Sequence, residues 1–343
     1  MLPLAFGVHN SGRTALVPRV ESGPASHVDC LFMSPSSRYT AMLFDDGTVC
    51  LHAPGGPARI AHPRQIIVPS CFECPLTDAG MLALPTDRGV RIVQLPRRQG
   101  DAPAALYDIA LFDDMVDDMR MAGVYGIVAR GAAGGVQRFA IRAHHCPVGN
   151  DTVFLATLDN SGARVSELPL PFASVDMIPA DPEFQAFDNR VLYEQLDHFV
   201  PCEAQVALTA HRVLVRGFVR RDPGQHRTST LRCYDAATGE PVWLRQDLNQ
   251  AGEDQWLFGH VVAHGNNFFV SAVPLSALEE RGPRAVMEDR TAAHLLRLDE
   301  DGTELTVWRN VLQPNTPFAL SPNGRFCVNL CSTGELATPF ILA

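Results

Sequence analysis

Lysine is absent from this chain of 343 residues: all 28 basic residues are arginine. An excess of positive charge is missing too. The 38 acidic residues set the formal net charge at −10, which argues against nucleic acid as a partner, because phosphate backbones demand a basic footprint. No run approaches the ~18 consecutive apolar residues of a membrane span, so no membrane partner is expected. The opening MLPLAFGVHNSGR lacks the basic segment and unbroken apolar stretch of a secretory leader. Gly131-Ala-Ala-Gly-Gly135 has no lysine and lies between strand-like runs, so it is no phosphate loop, and no Gly-x-Ser-x-Gly elbow occurs. The nine cysteines, odd in number and scattered, suit reduced thiols and a cytoplasmic location. Nothing in the chain calls for a cofactor.

What is present is turn chemistry. Hydrophobic residues make up 46% of the chain, and Gly and Pro contribute 26 each, which fits many short strands joined by tight turns. Two distant segments share one pattern. Phe32–Val49 carries Ser34-Pro35, then Asp46-Gly47; Ala319–Leu336 carries Ser321-Pro322, then Thr333-Gly334. Each predicts strand, Ser-Pro turn, strand, Gly turn, strand. A second unit, an apolar strand and a polar turn closing on glycine before another strand, recurs four times. Its copies are Phe6–Val20, Phe154–Leu170, Leu231–Leu248 and Leu295–Val311, with turns ending at Gly12, Gly162, Gly239 and Gly302.

The Ser-Pro-x-x-Arg-aromatic units resemble the first hairpin of WD-repeat and related propeller blades. The unit Tyr234-Asp-Ala-Ala-Thr-Gly-Glu-Pro-Val-Trp243 is similar to the outer hairpin of quinoprotein-type blades. The expectation is therefore an all-β chain, one β-propeller domain over residues 1–343. Blades are expected near 27–62, 64–112, 115–171, 199–248 and 254–311. A sixth would combine 314–343 with residues 3–22, closing the ring by pairing the two ends of the chain. Six blades are favoured, with seven open because residues 172–198 are left over. Leu278–Asp289 is expected to be a long exposed loop.

Candidate chemistry is sparse. Cys71-Phe-Glu-Cys74 has half-site spacing, but Cys327 and Cys331 do not complete it, so a structural role is read. His260 and His264 would share a face in a regular strand, yet two histidines alone make no site. Asp29, Asp118, Glu203 and Asp254 fall near the starts of inner strands, where convergence would create a site for a divalent cation. Two charged stretches are the candidate partner contacts. One is Asp113, Asp114, Asp117 and Asp118 between two blades; the other is Arg216, Arg220, Arg221 and Arg227 in a hairpin with a basic tip.

The sequence thus reads as a non-enzymatic protein-interaction platform, a scaffold or adaptor subunit whose loops hold other proteins. The bacterial systems that pair a propeller with other subunits are the analogy. The alternative is a metal-dependent propeller hydrolase or lactonase with channel carboxylates, and a quinone-cofactor dehydrogenase ranks third. The missing lysine has two readings: codon bias of a GC-rich genome, or selection against a modifiable amine beside a ubiquitin-like conjugation system or host.

Overall fold

Strands buried on both faces read as unbroken apolar runs, and Val213-Leu214-Val215 is such a run: each of the three is fully buried. In a computed structural model the valines face one neighbouring sheet and the leucine the other. The structure describes residues 28–44, 48–54, 56–61, 74–86, 89–98, 101–111, 123–145, 150–169, 205–219, 228–246, 256–314, 316–321, 323–329 and 340–342.

These residues form six antiparallel sheets in chain order, the blades of a six-bladed propeller. Blade 1 holds β1 (Val28–Met33), β2 (Thr40–Phe44), β3 (Thr48–Ala53) and β4 (Gly56–Ala61). Blade 2 holds β5 (Met81–Thr86), β6 (Gly89–Gln94) and β7 (Ala104–Ala110). Its innermost position is taken by a short segment around Leu76, bridged to Leu82, whose Cys74 carbonyl accepts the Ala129 N–H of blade 3 at 2.8 Å. Blade 3 holds β8 (Gly123–Gly131), β9 (Gln137–His145), β10 (Asn150–Asp159) and β11 (Gly162–Glu167). Blade 4 holds β12 (Gln205–Leu208), β13 (Arg212–Val219), β14 (Thr228–Asp235) and β15 (Pro241–Gln246). Blade 5 holds β16 (Trp256–His264), β17 (Asn267–Pro274), β18 (Ala293–Asp299) and β19 (Glu304–Leu312). Blade 6 shows β20 (Phe318–Leu320), β21 (Phe326–Asn329) and β22 (Phe340–Ile341). The expected blade positions hold. Residues 3–22, expected to complete blade 6, and residues 172–198 lie outside the described residues.

Five apolar clusters fill the seams between consecutive blades, from 1–2 through 5–6. This is sheet-on-sheet packing repeated around a ring, so most blades bury both faces. Glycines let neighbouring turns nest at these seams. Tyr39 of blade 1 lies over Gly80 of blade 2, where an added Cβ would sit 2.7 Å from the ring; Trp243 of blade 4 covers Gly302 of blade 5 at 2.9 Å. Leu168 against Gly239 and His264 against Gly324 repeat the arrangement at two further seams.

The turns explain why the local sequence folds this way. Where a first strand ends in Ser or Thr, that hydroxyl accepts the N–H groups that open the second strand. Ser34 accepts from Tyr39 at 3.2 Å, Thr77 from Met81 at 3.2 Å, Thr209 from Arg212 at 2.9 Å and Ser321 from Phe326 at 2.9 Å. Between third and fourth strands an aspartate does the same: Asp159, Asp235 and Asp299 accept from Ser161, Ala237 and Thr303, each at 2.8 Å.

One expectation fails. The stretch Leu278–Asp289 is not an exposed loop but two short helices, α1 (Leu275–Arg281) and α2 (Pro283–Glu288). Leu278 and Val286 are buried in the blade 5–6 cluster, which anchors the pair to the core. Pro283 at the first position of α2 starts it without wasting a donor.

Candidate functional site

A group of buried and half-buried polar residues lies around the seam between blades 4 and 5. It begins with an irregularity in β16, whose pairing with β17 shifts between Phe258 and Val261. Gly259 sits against Ser271, and a Cβ there would stand 2.5 Å from the serine Oγ. That close approach is why a strand interior carries glycine. The Ser271 Oγ accepts the His260 N–H at 2.8 Å, holding the bulge. The bulge turns His260 toward blade 4, where Gln205 meets it at 2.8 Å from Nε2 to Nδ1. The Val261 N–H donates to Gln205 Oε1 at 3.3 Å. That bond fixes the amide orientation, so Gln205 Nε2 donates and His260 Nδ1 accepts.

Two further groups sit on the same side. Arg216 lies opposite Gln205 in the β12–β13 register, faces blade 5 as Leu214 does, and is 0% exposed. His294 on β18 is 5% exposed, and its Nδ1 accepts the Asn310 N–H at 3.2 Å. Asn310 has a left-handed backbone, φ 56, inside a second bulge, where β19 spends extra residues opposite His294. Trp256 packs edge-on to the His294 ring, 5.2 Å between centroids.

The other end of this seam is closed by structural bonds. The Thr209 hydroxyl donates to the Glu300 carboxylate, and Trp243 Nε1 donates to the Glu300 carbonyl at 2.9 Å. Arg212 pairs with Asp235 at 2.7 Å. Burial pushes the Cys233 thiol up to about 12; on the other face of blade 4, against blade 3, burial pushes the Tyr234 phenol up to about 12, and the phenol donates to the Pro169 carbonyl at 2.8 Å. None of these is poised as a nucleophile at neutral pH.

Arg216 is the correction among the predicted partner contacts. Because β13 runs on through Val219, Arg216 is a buried strand residue and not part of an exposed tip. Arg220, Arg221 and Arg227 lie outside the described residues, in the connection from β13 to β14. Asp113, Asp114, Asp117 and Asp118 also lie outside them, in the connection from β7 to β8. Since strands alternate in direction, both connections leave from the same face of the ring, opposite the hydroxyl-capped turns. Asp118, Glu203 and Asp254 are likewise undescribed; Asp29 lies in β1 with its side chain undescribed. Among the described residues no group of three or more His, Cys, Asp or Glu comes together.

Cys74 fits its structural reading. Its thiol donates to the Met33 carbonyl at 2.9 Å, and burial pushes it up to about 11, while Cys71 is undescribed. His260 and His264 do not share a face: the bulge sends His260 toward blade 4, while His264 meets Gly324 of blade 6. Sequence reasoning missed Gln205, Ser271 and His294. The available signal was Gly259 inside a strand pattern, which marks a bulge or a close backbone approach.

No protein-family model matches this chain, and no curated protein matches it. Solved structures do resemble it. One is the WD40 domain of SCAP from fission yeast, 9% identical, covering 91% of this chain and 67% of that one at a TM-score of 0.49. A component of the mitotic checkpoint complex is 12% identical, with 94% and 76% covered and a TM-score of 0.48. Prolyl oligopeptidase B from Galerina marginata, solved with a 35mer hydrolysis and macrocyclization substrate, is 9% identical at a TM-score of 0.50. That likeness covers 93% of this chain but only 40% of that one. At such identity it speaks to architecture alone, and the architecture is a β-propeller.

Proposed function

We propose that this chain, as one unit over residues 1–343, is a non-enzymatic interaction platform working in the cytoplasm, with other proteins as its partners. The observation that carries the reading is the difference between the two faces of the ring. On one face several of the described turns are short and tied by their own Ser, Thr and Asp side chains, as at Ser34, Thr209, Asp235 and Asp299. From the other leave the long connections, including residues 170–204, the arginine-bearing 220–227 and the acidic 112–122. A scaffold with long connections leaving on one side suits recognition. Blocks of one sign of charge steer and select oppositely charged partners.

Charge reversal is the test. Arg220→Glu with Arg221→Glu, and separately Asp117→Arg with Asp118→Arg, should weaken recovery of a specific partner by copurification and mass spectrometry from the native host. The remaining binding should become less sensitive to salt. Unchanged recovery and salt response in both variants would remove these loops from the proposal.

A further inference from the structure

We propose that the outer part of blade 4, on its side toward blade 3, docks an extended segment of a partner protein in which one carboxylate is flanked by aliphatic side chains. Three residues make the site: Arg232 on β14, and Val242 and Leu244 on β15. Arg232 stands opposite Leu244 in the β14–β15 register, and Tyr234 lies two residues along on the same side. That side faces blade 3, because Tyr234 packs in the blade 3–4 cluster whereas Leu231 and Cys233 pack in the blade 4–5 cluster. β15 alternates likewise. Trp243 turns to Gly302 of blade 5, which leaves Val242 and Leu244 on the side of blade 3.

Single exposed aliphatic residues are ordinary on a protein surface. Here two share one face of the outermost strand of their sheet, each 43% exposed. Beside them is a cation whose hydrogen-bonding capacity is not used. Arg232 is half-buried, and its Nε is shielded from solvent with no acceptor. Its guanidinium carbon stands 5.7 Å from the centroid of the Tyr234 ring. The ring is fully buried and its hydroxyl donates to the Pro169 carbonyl at 2.8 Å, so the guanidinium rests on a fixed aromatic face.

The carboxylates of the adjoining turns are engaged elsewhere, Asp159 by Arg164 at 2.9 Å and Asp235 by Arg212 at 2.7 Å. Among the described residues none forms an ion pair with Arg232. A carboxylate brought by a partner would supply the missing acceptor through charge-assisted hydrogen bonds. Aliphatic side chains on either side of it would cover Val242 and Leu244 and keep water from the pair. Charge complementarity therefore selects an acidic segment over a neutral or basic one.

This inference rests on the reading of the chain as an interaction platform. Its test needs no native partner, so its failure would leave the copurification result standing. The probe is the peptide acetyl-Gly-Val-Glu-Leu-Gly-amide, titrated into the full chain beside its counterpart with Gln in place of Glu. Binding is followed by backbone amide NMR. The Glu peptide should bind at millimolar concentration with shifts gathered in β14 and β15, about tenfold more tightly than the Gln peptide. That margin should shrink as salt is added. Arg232→Gln should bring the Glu peptide down to the level of the Gln peptide, and Leu244→Ser should weaken both. Should Arg232→Gln fail to fold, the two peptides on the native chain decide alone. Shifts absent from β14 and β15, or equal affinity of the two peptides for the native chain, would overturn the inference.

Discussion

The contact between Gly259 and Ser271 can be tested quantitatively because its two sides fail in different ways. Gly259→Ala drives a methyl to 2.5 Å from Ser271 Oγ, while the serine carbonyl oxygen and Cβ stay at ordinary distances of 3.6 and 3.7 Å. Overpacking of this kind costs about 1–3 kcal/mol. Ser271→Ala removes the clash partner but strips the His260 N–H of its acceptor, costing about 1–3 kcal/mol for a buried donor left unmade. If the two costs were independent, the double variant would lose their sum, about 2–6 kcal/mol. The geometry says otherwise. With Oγ gone the alanine methyl meets nothing closer than van der Waals contact, so the double variant should lose little more than Ser271→Ala alone. The coupling should be about 1–2 kcal/mol in a double-mutant cycle by urea unfolding. Losses that add within about 0.5 kcal/mol would mean that Gly259 is not held by Ser271, and the account of the bulge would fall with it.

Two other perturbations probe the ring. Deleting residues 1–20 should lower the melting temperature of the whole protein, because blade 6 shows three strands and the missing position is assigned to the N-terminal segment; an unchanged melt would refute that closure. Arg281→Ala should shrink the loss of stability on strong acidification. Asp289 is held below its ordinary value first by the Arg281 hydrogen bond and then by Thr291, so its contribution is present above about pH 4 and lost as pH falls through its lower folded value. Equal acid titrations of the two proteins, followed by circular dichroism, would contradict this.

The blades were legible because their turns are local. Ser34-Pro35, Ser321-Pro322 and the aspartates before Gly162, Gly239 and Gly302 each determine a turn within a few residues, and the structure places turns at all of them. What escaped depended on contacts far apart in the chain. Gln205 and His260 meet across a seam, 55 positions apart, and no spacing rule connects them. Leu278 and Val286 were hidden among charged neighbours, although together they give α1 and α2 the apolar side that packs on blades 5 and 6. Arg216 was misjudged because it was grouped with Arg220, Arg221 and Arg227 in one basic hairpin stretch. Its register opposite Leu231 shows three more residues of strand before the chain leaves the sheet.

The nesting of side chains over glycines also gives the ring a direction of assembly. At four seams the bulky group belongs to the earlier blade and the glycine to the later one: Tyr39 before Gly80, Leu168 before Gly239, Trp243 before Gly302, His264 before Gly324. During synthesis each blade can thus finish its hairpins and present its ring or leucine before the receiving turn has left the ribosome. Contacts between nearest neighbours suffice for this growth, as in other repeat architectures. Like overlapping roof tiles, each of these four joints needs only the blade made just before it.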